Sequence, residues 1–114
     1  MIPKVIHYCW FGKSPMPKSQ LDYIKTWSKV MPDYEIRRWD ETNFDVSQYA
    51  FAQQAYDKKL YAFVADVARL HILYNEGGIY MDTDVECLKT LNPYLSYSWF
   101  SGVGVWYEDF LVNG

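Results

Sequence analysis

In Gly77-Gly78-Ile79-Tyr80-Met81-Asp82-Thr83-Asp84-Val85 a short apolar run follows two glycines and ends on two carboxylates one residue apart. The glycines permit the positive backbone dihedrals that close a preceding helix, and without side chains they let other groups come close. Helix, glycine turn, strand and acid pair therefore follow in order. On an extended chain side chains two apart share a face, so Asp82 and Asp84 point one way and Thr83 another while the backbone stays strand-like. Two like charges this close resist burial unless a cation neutralises them, and hard oxygen ligands favour magnesium, manganese or calcium over zinc. An isolated Asp-x-Asp also fits a solvated loop, so its surroundings decide. An EF-hand is excluded, because Val85, Glu86 and Cys87 stand where further oxygen ligands and a glycine belong.

Upstream, Tyr61, Val64, Ala65, Ala68, Ile72 and Leu73 form an apolar face that predicts a helix over Leu60 to Asn75, stopped by Gly77. Asp66 and Arg69 are neighbours on it; on a helix standing alone they read as an ordinary ion pair at the rim of the core. Ser47 is placed to cap a helical stretch through Tyr49, Ala50, Ala52, Ala55 and Tyr56. At the start of the chain, Val5, Ile6, Tyr8 and Trp10 predict a strand over Lys4 to Trp10 that is buried on both faces, as in a parallel sheet. Ser19 and Asp22 have capping-box spacing ahead of a helix from Ser19 to Val30, and Pro32-Asp33 breaks it. Tyr34 to Trp39 reads as a second strand, completing a βαβ unit. Downstream, Cys87 to Leu95 is a short connection containing Pro93, and Trp99 to Trp106 reads as another strand, interrupted by Gly102 and Gly104.

A chain of 114 residues makes one domain with a modest core, and 50% hydrophobic with 22% charged residues excludes a disordered or fibrous class. Five tryptophans and eleven tyrosines exceed what so small a core needs. Such rings often line sites for nucleobases or sugars, although core packing is the simpler reading of any one of them. A net charge of −3 with dispersed lysines and arginines argues against nucleic acid as a partner. With no secretory signal or long apolar run, a cytoplasmic location is expected. Cys9 and Cys87 fit neither a zinc spacing nor a disulfide framework, and each is expected in a strand as a structural thiol.

Ala65-Asp66, Arg69, Leu70, Leu73, Gly77-Gly78, Tyr80, Asp82 and Asp84, preceded by Ile2-Pro3-Lys4-Val5-Ile6-His7 with Trp10 and Gly12, closely resemble glycosyltransferase family 32. That family comprises relatives of the fungal initiating mannosyltransferases and of the glucosylating bacterial toxins. The resemblance implies an α/β fold of GT-A type, a Rossmann-like and mostly parallel sheet flanked by helices that binds a nucleotide diphosphate sugar. It implies that Asp82 and Asp84 hold Mn2+ or Mg2+ on the donor diphosphate, with Asp84 the direct ligand. Asp66 and Arg69 match residues that orient the donor sugar, and Tyr80 falls within the same donor-binding motif. The first strand, with His7 and Trp10, belongs to the nucleotide pocket, Trp10 stacking on or flanking the base. An ideal strand points these two side chains to opposite faces, so one of them suffices, and a lone strand histidine is more often structural.

The family's catalytic domain continues well past 114 residues, so residues 1–114 are expected to be the donor-binding part, truncated before the acceptor-binding half. The leading expectation is a metal-dependent, retaining hexosyltransferase acting on a saccharide or lipid-linked saccharide acceptor. The bacterial branch builds capsular and other surface polysaccharides, which leaves room for peripheral association with the inner face of the membrane, although no amphipathic anchor is evident. One alternative is a noncatalytic nucleotide-sugar-binding fragment. Another is a metal-dependent phosphoesterase, which needs more acids or histidines than Asp82, Asp84 and a poorly placed His71 supply.

Overall fold

A computed structural model describes residues 2–96 in full and residues 110–113 as backbone. The chain runs through β1 (Val5–Cys9), α1 (Lys18–Val30), β2 (Glu35–Trp39), a 3-10 turn (Val46–Gln48), α2 (Ala50–Asp57) and α3 (Tyr61–Glu76). It continues through β3 (Gly78–Met81), a second 3-10 turn (Asn92–Tyr94) and β4 (Phe110–Asn113). The sheet order is β2-β1-β3-β4; β1 runs parallel to both its neighbours, and β4 is antiparallel to β3. Ile6 lies opposite Ile36 on one side and Ile79 on the other.

Strand alternation divides the core into two layers. Ile6, Ile79 and Met81 pack with Trp27 and Met31 of α1. Cys9 and Tyr80 face the other way, against Val64, Ala68 and Ile72 of α3 and Ala52 and Ala55 of α2. β1 and β3 are thus covered on both faces, as their apolar runs predict. From β1 the chain passes to β2 on one side, while β3 lies on the other. The connections therefore diverge at the carboxyl ends of β1 and β3, where open α/β sheets form their ligand crevice.

Neither expected side-chain cap forms. Pro17 occupies the N-cap of α1 with no side-chain bond; its carbonyl accepts from Gln20 and Leu21, and Asp22 pairs with Lys18 and Lys25 instead. Ser47 lies inside the 3-10 turn, where its amide donates to the Asp45 side chain, and α2 starts from an uncapped Tyr49. In both places the helix begins at a residue other than the one the serine would cap. Gly77 and Gly78 do adopt positive φ, 68° and 92°. A Cβ at Gly78 would lie 2.8 Å from the Val5 carbonyl oxygen.

Cys9 is a buried strand residue as expected, whereas Cys87 is buried outside any strand because the chain leaves the sheet after Met81. The strand expected over Trp99 to Trp106 lies outside the described residues. Among those residues no helix is long and apolar enough to cross a membrane.

Candidate active site

At the carboxyl ends of β1 and β3 the molecule opens into a cavity of about 460 Å3. β1 and the loop after it supply Cys9, Trp10 and Ser14; β3 and the turn after it supply Tyr80, Asp82, Thr83 and Asp84. Asp66 and Arg69 enter from α3, and Gln20 from the first turn of α1.

Arg69 is the hub. Its Nη2 lies 2.6 Å from Asp66 Oδ1 and 3.9 Å from Asp82 Oδ1, and its guanidinium carbon stands 5.0 Å from the centre of the Tyr80 ring. The ring face attracts the cation and fixes its height above the sheet. Beneath it lie the buried Tyr80 and Cys9 side chains. Burial, above all, pushes the Cys9 thiol up to about 12 and raises the Tyr80 phenol well above its ordinary range. The floor therefore stays uncharged, and the positive charge of Arg69 is directed to the carboxylates. Arg69 Nε is buried without a hydrogen-bond partner. An orphan donor of this kind costs about 1–3 kcal/mol.

The acid pair is oriented differently from the strand expectation. β3 ends at Met81, and a hydrogen bond of 3.1 Å from the Val85 amide to the Asp82 carbonyl closes a turn. Alternation nevertheless survives, because α1 holds every second residue. Thr83 Oγ1 donates to Gln20 Oε1 (2.6 Å), Trp27 Nε1 donates to the Val85 carbonyl (2.7 Å), and the Cys87 amide donates to Thr26 Oγ1 (2.8 Å). Between these anchors Asp82 is left half-buried and Asp84 exposed, and both line the cavity. Thr83, tied to Gln20, reaches the cavity rim as well.

No group of three or more histidine, cysteine, aspartate or glutamate side chains comes together among the described residues. Two hard carboxylates at the mouth of a cavity fit an ion that keeps several waters and takes further oxygens from its ligand, as magnesium and manganese do. Arg69 already offsets part of the charge on Asp82, so Asp84 is the more open of the two toward a cation.

His7 does not belong to the cavity, and its assignment to the donor pocket is corrected. Trp39 Nε1 donates to its Nδ1 at 3.0 Å, so Nε2 carries the proton and donates to the Gly77 carbonyl at 2.9 Å. Burial lowers its pKa from the ordinary value, against a smaller opposing effect of the Gly77 bond. Strand period gave the face of this residue but not its depth: His7 sits two positions, about 6–7 Å, short of the strand end. Trp10 does line the cavity, half-buried, with Nε1 donating to the Ser14 carbonyl at 2.7 Å. Its polar edge is thus spent within the loop, and its ring faces are what remain for a ligand.

Gln20 and Tyr61 were not anticipated as cavity residues. Gln20 meets Thr83 across 63 positions, a separation that no local pattern encodes. Tyr61 belongs to the apolar periodicity of α3, yet its ring rests on Gly12, where a Cβ would lie 2.5 Å from it.

Residues 17–101 match the family model described as the glycosyltransferase sugar-binding region containing DXD motif. The chain belongs to this family. The resemblance to family 32 glycosyltransferases is thereby borne out. Inositol phosphoceramide mannosyltransferase 3 of Schizosaccharomyces pombe is 38% identical, over 84% of this chain and 28% of its own length. A glycosyltransferase of Acanthamoeba polyphaga mimivirus is 34% identical, over 88% of this chain and 42% of its own. The chain thus spans well under half the length of these relatives. In three dimensions it is similar to the PaToxG glycosyltransferase, with a TM-score of 0.68 at 23% identity, over 79% of this chain and 45% of that one. The GT-A type of α/β fold is that of this glycosyltransferase.

Proposed function

We propose that residues 1–114 form the donor-binding part of a metal-dependent glycosyltransferase, which moves a hexose from a nucleotide diphosphate sugar to a saccharide or glycolipid acceptor. The observation that carries this reading is the meeting of Asp66, Arg69, Asp82 and Asp84, from α3 and from the turn after β3, in one cavity at the switch point of the sheet. Asp82 and Asp84 would hold Mn2+ or Mg2+, which when bound offsets the charge that builds on the departing diphosphate. Asp66 accepts hydrogen bonds from sugar hydroxyls. Arg69, held between Asp66, Asp82 and the Tyr80 ring, orients the sugar and donates to acceptor oxygens beside the phosphates. Trp10 offers a ring face to the base. The inositol phosphoceramide mannosyltransferase names among the relatives support a hexose donor and a glycolipid acceptor.

Calorimetry with uridine and guanosine diphosphate sugars, with and without manganese, tests this. Manganese should tighten binding of one donor class, and Asp84→Asn should weaken that binding by tenfold or more, about 1.4 kcal/mol, with the thermal midpoint nearly unchanged. Metal-dependent affinity that survives Asp84→Asn overturns the assignment. Release of free nucleotide in the presence of acceptor separates a transferase from a module that only binds.

A further inference from the structure

We propose that Glu41 is a positioning residue for the nucleotide end of the cavity, holding the loop from Trp10 to Ser14 in place through the Gly12 amide. This rests on the donor-binding reading above. Glu41 does not line the cavity; it stands behind the wall. Its Oε2 accepts from the Gly12 amide at 2.6 Å and from the Tyr56 hydroxyl at 2.8 Å. Gly12 has φ +100°, and the Tyr61 ring presses on it from the side where a Cβ would be. The Tyr56 and Tyr61 rings pack edge to face, 5.5 Å apart, and Tyr61 itself lines the cavity. One carboxylate oxygen thus joins two segments, the loop after β1 and the end of α2, and Tyr61 at the start of α3 packs against both.

The carboxylate is well mounted for this. It follows β2 in a turn where Asp40 accepts through Oδ1 from Thr42 and through its carbonyl from Asn43 and Phe44. Burial raises its pKa, but the Gly12 amide, its own backbone amide and the Tyr56 hydroxyl together outweigh that and keep it below the ordinary carboxyl value. The same bond lifts Tyr56 to about 12. Glu41 therefore stays ionised, and its bonds are of the charge-assisted kind, roughly twice as strong as neutral ones. The loop it holds carries Trp10, Phe11 and Ser14 into the cavity wall, and the acid turn is a separate segment of that wall. Loosening it should disturb the base and leave the diphosphate site alone.

The test compares Glu41→Ala and Glu41→Gln in the full chain. Titrations use uridine and guanosine diphosphate with manganese, and inorganic pyrophosphate with manganese. Glu41→Ala should lose on the order of tenfold in nucleoside diphosphate affinity and keep its pyrophosphate affinity, while Glu41→Gln, which retains an acceptor oxygen, recovers most of the loss. Equal loss of both ligands, or loss of neither, overturns the proposal. Amide hydrogen exchange provides a readout without ligand: Gly12 should exchange faster in Glu41→Ala while the Val85 amide does not, and unchanged exchange at Gly12 is equally fatal. If the wild-type chain binds no nucleotide at all, the donor reading fails, and exchange at Gly12 still decides whether the carboxylate holds the loop.

Discussion

Two segments leave adjacent parallel strands at the same edge of the sheet, and they are built in opposite ways. The acid turn after β3 carries the charges and is braced by neutral groups of α1, namely Gln20, Thr26 and Trp27. The loop after β1 carries an aromatic ring and is braced by a charge, Glu41. The carboxylates of the acid turn line the cavity while α1 grips the turn at residues 83, 85 and 87. The loop after β1 is held by its backbone, through the Gly12 amide. In both, the charged or aromatic side chain lines the cavity while a different group holds the segment.

The contrast can be broken most violently at the root of the acid turn. Gly78→Val places a branched side chain at φ 92° against the Val5 carbonyl, a contact that backbone cannot yield. It should cost about 3 kcal/mol or more and leave little folded protein, as read by circular dichroism. A folded, normally stable variant would show that the bend is not fixed by this approach.

A gentler cut separates the two segments. Trp27→Phe removes the indole N–H and leaves the buried Val85 carbonyl without that donor. It should destabilise by about 1–3 kcal/mol in denaturant titration, with faster amide exchange at residues 83–87 and none at 10–14. Loosening of both segments together would mean that they move as one body.

The smallest effect is one of pH. The folded-state pKa of His7 is depressed below its ordinary value of 6.5, chiefly by burial. Its contribution to stability is therefore complete above that value and is lost as pH falls through the lower folded one. The slope is at most about 1.4 kcal/mol per pH unit. Protonation would put an N–H at Nδ1 against the Trp39 N–H while Nε2 keeps donating to Gly77, so the cost falls on the contact between β1 and β2. Thermal midpoints across this range should fall in the wild type and flatten in His7→Gln; parallel curves would remove His7 as the cause.

What could be read from the sequence was whatever a short window contains. The alternation in β1, the apolar face of α3, the Gly-Gly bend and the spacing of Asp82 and Asp84 are all local, and the structure holds each of them. The bracing was out of reach, because Gln20 meets Thr83, and Trp27 meets Val85, across about sixty positions. Ser19 and Ser47 misled because neither stands at a helix start: α1 begins from Pro17 and α2 from Tyr49, and Ser47 lies in a 3-10 turn capped by Asp45. β4 was missed because Phe110, Leu111 and Val112 form too short an apolar run to stand out without a partner strand.

The anchoring of residues 83, 85 and 87 on one helix has a bearing on how this segment can change its length. One residue inserted or deleted between Asp82 and Cys87 would exchange odd for even, turning carboxylates onto a greasy helix and sending threonine and valine toward solvent. Letters at 84 or 86 are cheap to alter as far as folding is concerned. Their count is not, and any drift in length must come in pairs.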